Sequence, residues 1–206
     1  MKKFLLLSLF ILSTSALLAQ KRLGVKLGYH ISSMQFNLED PNESSSSLSS
    51  FHASAFLDFP LKKGFYFQPG VSLLQKGAVL KNAGAPVELN PVYIEIPLNL
   101  LKKFDMGKGN VLIGAGPYGA IGFAGSVIKS TNPDGLSPGH PIVYGTDAAK
   151  NDIKRFDYGF NMLGGYEFDR NISLVIGYGL GMANIWPPSS GSLKNRVVTF
   201  SIGITL

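Results

Sequence analysis

Val198-Thr199-Phe200-Ser201-Ile202-Gly203-Ile204-Thr205-Leu206 alternates a large apolar residue with a small polar one for its whole length. Successive side chains of a β-strand point to opposite faces, so this stretch has one greasy face and one small, weakly polar face. Both faces meet something, and what they meet decides the fold. In a soluble sandwich or barrel the apolar face turns inward and the other meets water. In a membrane barrel the apolar face meets lipid and the small face lines the interior.

The same alternation recurs upstream. Seven further strands are expected at 23–36, 50–59, 65–75, 92–102, 111–123, 155–168 and 171–180, with 196–206 as the eighth. The faces opposite the apolar residues are built from Gly, Ser, Thr and Asn with few charges. A water-facing sheet would carry more Lys and Glu, whereas a narrow barrel interior needs small side chains. Charged residues make up 16% of the chain, below the roughly 25% of ordinary soluble domains. The connections alternate in length. Long ones span 37–49, 76–91, 124–154 and 181–195, and short ones 60–64, 103–110 and 169–170. Outer-membrane barrels keep short turns in the periplasm and long loops outside. Aromatics sort to both ends of the apolar face. Phe59, Phe65, Phe67, Tyr166 and Phe168 fall near the short turns, and Phe51, Phe123, Phe156, Tyr158 and Tyr178 near the long loops. Two such belts are the pattern of interfacial anchoring. The expectation is an all-β, eight-stranded, antiparallel, up-and-down transmembrane β-barrel.

The first residues point to the same compartment. Met1-Lys2-Lys3 is followed by an apolar run from Phe4 and by small residues up to Ala19-Gln20. This is the layout of a secretory signal peptide. Its apolar core falls short of the roughly twenty residues that span a bilayer. Residues 1–20 are expected to be a cleaved signal peptide and 21–206 the barrel domain, in the bacterial outer membrane. The chain has no cysteine, which removes disulfides, thiolate metal sites and lipoprotein anchoring. The formal charge of +6 falls to about +4 without Lys2 and Lys3, and the remainder is scattered. A nucleic-acid binder would cluster its cations on one surface. Lys62-Lys63 and Lys102-Lys103 read as solvated charges at the turns.

Inward candidates follow from parity. Lys26, His30, Glu95, Asp157 and Glu167 are the interior polar residues, because ionisable groups at membrane depth turn from lipid and pair. Lys26 is expected to meet Glu167, and Arg155 to meet Glu95 and Asp157. His30 and Ser32 share a face, which raises a base beside a nucleophile. The His would face the lumen, so a hydrogen-bonded interior histidine is the reading adopted, and no catalytic, cofactor or metal residue is assigned. Gly177-Tyr178-Gly179-Leu180-Gly181 lacks the following helix of a phosphate loop. The three histidines lack metal-ligand spacing. Trp186-Pro187-Pro188 is expected as a loop, either presenting an aromatic to a partner or anchoring at the membrane boundary.

Several segments resemble the PorT-like outer-membrane β-barrel family of Bacteroidetes-type bacteria. They are Gly24-Val25-Lys26-Leu27-Gly28, then Phe67 to Gly77 (FQPGVSLLQKG), Tyr93-Ile94-Glu95-Ile96-Pro97-Leu98, Gly114-Ala115-Gly116-Pro117-Tyr118, Asp157-Tyr158-Gly159, Gly164-Gly165-Tyr166 and Leu180 to Ile185 (LGMANI). The resemblance runs in order along the chain. It implies an eight-stranded outer-membrane barrel, whose named family member serves type IX secretion and gliding. The expected role is structural or interactive, with outer-membrane lipid around the wall and a protein partner at the external loops, above all 124–154. A narrow solute conduit is the alternative, followed by a soluble periplasmic ligand-binding barrel and a lipid-modifying enzyme.

Overall fold

The computed structural model describes residues 22–37, 44–81, 86–132, 135–136, 139–169, 171–188 and 191–206. The expected signal segment 1–20, with Ala19-Gln20, lies outside the described residues, as do Arg170, Pro133 and Pro138. The strands are β1 (Arg22–Asn37), β2 (Ser44–Pro60), β3 (Phe65–Gln75), β4 (Ala78–Lys81), β5 (Val87–Met106), β6 (Gly109–Asn132), β7 (Gly135–Leu136), β8 (His140–Pro141), β9 (Phe156–Phe168), β10 (Ile172–Gly181) and β11 (Ser192–Thr205). Eight of them form a ring. Each of β1, β2, β3, β5, β6, β9, β10 and β11 pairs antiparallel with the next, and β11 returns to β1 from Gly24↔Thr205 to Asn37↔Ser192. A closed ring leaves no edge, so every wall strand satisfies its backbone on both sides. Among the described residues no helix is long and apolar enough to cross a membrane.

Tight connections gather at one end, with Arg22 and Leu206 beside them. Between β2 and β3 a 3-10 turn at Lys62–Gly64 puts Lys63 and Gly64 at positive φ. Gly107, at φ 64°, turns β5 into β6.

The wall is greasy outside. Leu27 is 64%, Ile96 51% and Ile202 59% exposed. On β5 the outward apolar face runs from Ile94 to Phe104. Ten steps of about 3.3 Å, tilted by about 40°, rise about 25 Å, the height of an outer-membrane apolar band. Exposed Phe51, Phe123, Phe156, Tyr158 and Tyr178 rim the upper edge, and exposed Phe65, Phe67 and Phe168 the lower.

Strand lengths depart from the sequence reading. The β5–β6 hairpin extends well past the expected 92–102 and 111–123. Much of the expected loop 76–91 is β4 and the start of β5. The hairpin leaves the membrane at a bulge, where Val92 faces Ala124 and Tyr93 faces Gly122, making Phe123 an extra residue. Bulges of this kind are common at barrel rims.

Above the bulge the inside changes character. Met34, Ala78, Leu80, Leu89, Val127, Ile142, Ile153, Ala183, Ile185 and Leu193 form one buried apolar cluster. Water is the solvent at this height, so an ordinary hydrophobic core forms here and closes the barrel top. Trp186 belongs to it, half-buried, with its ring edge-on to Phe36 at 5.5 Å. Its ring is therefore held against the cap core rather than freely presented.

Candidate functional site

Two ionic clusters and a small chamber occupy the lumen below this cap. The upper cluster centres on Lys76, whose side chain is 2% exposed. Its Nζ lies 2.8 Å from Glu95 Oε2 and 2.9 Å from Asp157 Oδ2. Those carboxylates stand on β5 and β9, so the cation ties well-separated parts of the ring. Asn195 Nδ2 donates to Asp157 Oδ2 at 2.9 Å, and Tyr118 OH donates to it at 3.2 Å. Asn161 Nδ2 donates to Glu95 Oε1 at 3.0 Å. The Tyr118 ring lies 4.1 Å from the Lys76 ammonium, a cation–π contact. One cation meets two carboxylates, so an excess negative charge is spread over donated hydrogen bonds.

The backbone carrying Lys76 is clamped. His30 Nε2 bonds the Gln75 carbonyl at 2.5 Å. Ser32 Oγ donates to the Gly77 carbonyl and accepts from the Gly77 N–H, each at 2.8 Å. The Lys76 N–H donates to the Pro91 carbonyl at 2.9 Å. His30 and Ser32 thus hold residues 75 and 77 rather than each other. Neither is placed to activate its neighbour.

The lower cluster centres on Lys103. Its Nζ lies 3.0 Å from Asp58 Oδ2 and 2.5 Å from Glu167 Oε2. Gln68 Nε2 donates to Asp58 Oδ1 at 2.6 Å, and Lys26 Nζ donates to Gln68 Oε1 at 2.8 Å. Four formal charges cancel here. Between the clusters lies a chamber of about 100 Å³, bordered by His52, Ser54, Ser72, Asn99, Gly177 and Thr199. It is roughly the volume of a few water molecules. His52 Nε2 meets Ser201 Oγ at 2.9 Å on its wall.

The expected pairings are corrected. Lys26 does not meet Glu167; Lys103 takes that carboxylate, and Lys26 turns to Gln68. Arg155 does not meet Glu95 or Asp157; Lys76 does, while Arg155 lies over the Tyr144 ring at 5.4 Å. Lys102 and Lys103 divide by parity. Lys102 sits over the Phe65 ring at the lower rim and bonds the Lys63 carbonyl, whereas Lys103 points inward. Lys76 and Lys103 are the site residues missed from the sequence. The signal was present: Lys76 continues Gln68, Gly70, Ser72 and Leu74, and Lys103 continues Glu95 and Asn99. Each is an even number of residues from known inward positions. Among the described residues no set of His, Asp and Glu is gathered as a metal site.

Comparison with known proteins agrees with this architecture. The sequence matches the family described as outer membrane protein beta-barrel domain over residues 18–186. No curated protein matches it. The solved outer membrane protein OprG from Pseudomonas aeruginosa is similar in fold, with a TM-score of 0.51 and 10% identity over 90% of this chain and 95% of that one. Neisserial surface protein A aligns at a TM-score of 0.44 with 16% identity, over 89% and 96%. A closed antiparallel ring, a lipid-facing apolar wall and a family match over most of its length agree: this chain belongs to the outer membrane protein beta-barrel domain family and resides in the bacterial outer membrane.

Proposed function

We propose that the protein is a sealed, non-enzymatic barrel whose external cap is an interaction platform for an envelope assembly. The observation that carries this reading is Lys76 bound to Glu95 and Asp157 beneath an apolar cap. An eight-stranded ring has an interior that side chains can fill, and here two ionic clusters span it. A barrel with no open lumen acts through its surface. Among the described residues, the end away from lipid carries a cap built on its own core, which preorganises it for contact. Type IX secretion is the assembly favoured by the PorT-like resemblance, and export removes residues 1–20.

Purified protein in planar bilayers is expected to be electrically silent. Steady single-channel steps from the unmodified protein would contradict a sealed barrel. In a deletion strain, type IX cargo is expected to accumulate in the periplasm; unchanged export would remove the secretion assignment and leave the sealed barrel standing.

A further inference from the structure

A second, unrelated pocket opens where the cap meets the upper aromatic belt. Its volume is about 470 Å³, and its lining includes Tyr144, Lys154, Arg155, Phe156, Tyr158 and Asn184. That volume lies within the ~300–1,000 Å³ of small-molecule sites. The pocket has two chemistries. Phe156, 66% exposed, and Tyr158 point outward on β9 into the lipid-facing wall. Lys154 and Arg155, immediately before them, supply two cations. Neither forms an ion pair among the described residues, while the nearby acids are engaged: Asp147 with Lys150, and Asp152 with His140 and the Val143 N–H.

The walls are held in place. The Lys154 N–H donates to the Ile185 carbonyl at 2.8 Å, and Tyr144 bridges to Ile153. Tyr144 OH donates to the Ala124 carbonyl at 2.7 Å. Its ring fills the space a side chain at Gly122 would need, since a Cβ there would fall 2.4 Å from it. Arg155 lies over that ring, 5.4 Å from its centroid.

Two unpaired cations beside lipid-exposed aromatics, at the external membrane boundary, match an amphiphile with an anionic headgroup. We propose that this pocket binds the phosphorylated sugar headgroup of a glycolipid in the outer leaflet, with Lys154 and Arg155 on the phosphate and Phe156 and Tyr158 against the adjoining apolar part. Arg suits phosphate because its planar fork of donors pairs with two oxygens. The inference is independent of which partner the cap meets.

The test is binding of bisphosphorylated lipid A, presented in mixed micelles, to the detergent-solubilised full chain. The Lys154→Gln/Arg155→Gln variant is expected to lose about tenfold in affinity per cation removed, the scale of one charge-assisted hydrogen bond. Gly122→Val, which displaces the Tyr144 ring, is expected to weaken binding as well. Lys62→Ala/Lys108→Ala removes equal charge at the far end and is expected to change nothing. Heat-modifiable gel mobility checks that each variant is folded. Equal affinity for the double Gln variant would overturn the proposal. So would equal affinity for dephosphorylated lipid A, or full displacement by millimolar inorganic phosphate, which would make the site one for a free anion.

Discussion

Lys76→Ala destabilises the folded barrel by about 3–5 kcal/mol, the cost of removing one partner from a buried ion pair. The variant leaves Glu95 and Asp157 facing each other's field in a buried interior with only neutral donors. Coulomb repulsion and unpaid desolvation then act together. Unfolding in urea, followed through the single tryptophan, Trp186, reads the loss as a shift of the midpoint. The Lys76→Met/Glu95→Gln/Asp157→Asn variant removes cation and anions together and is expected to recover most of it. A Lys76→Ala midpoint equal to that of the unmodified protein would mean that the upper cluster does not brace the ring. Single-channel steps in Lys76→Ala, absent from the unmodified barrel, would add that this lysine is what blocks the lumen.

The second large effect lies on the outer wall. Leu27→Arg puts a charge among outward apolar neighbours, with Ile202 and Ala53 as its cross-strand partners. A cation near the middle of the lipid band of an outer-membrane barrel costs about 2–4 kcal/mol. The same change at Phe104, at the lower edge of the band, is expected to cost about 0–1 kcal/mol. The gradient is the informative quantity, measured by refolding both variants into vesicles. On a water-facing wall both changes would fall within about 0.5 kcal/mol of neutral.

The wall was legible in the sequence because parity is local. Leu27, Ile96 and Ile202 face outward, as the alternation around each implies, and one slip in register would have turned a whole strand over. The ends of strands were not legible. Residues 87–91 and 124–132 continue as strand above the membrane, where the solvent changes and the lipid-face alternation no longer marks them. The bulge at Phe123 also reverses parity, so Val127 is buried although Ile121 is not. The cap core draws Met34 from the top of β1, Leu80 from 76–91, Ile142 from 124–154 and Ile185 and Leu193 from 181–195, and no local period announces a cluster assembled only in three dimensions. Lys76 and Lys103 were readable in parity but hidden by their type. A lysine beside a Gly or another lysine reads as a turn charge, and only the carboxylates across the lumen make it an interior one.

Orientation of the wall is the claim on which the rest depends, and spin labelling tests it most directly. The chain has no native cysteine, so single labels at Leu27→Cys, Ile96→Cys and Ile202→Cys can be compared with Ser54→Cys and Ser72→Cys in bilayer vesicles. The outward labels are expected to collide freely with oxygen, which concentrates in lipid, and to be shielded from a water-soluble nickel complex. The inward labels are expected to be immobile and reached poorly by oxygen. Nickel-accessible labels at Leu27, Ile96 and Ile202 would mean that water, not lipid, bathes the apolar wall.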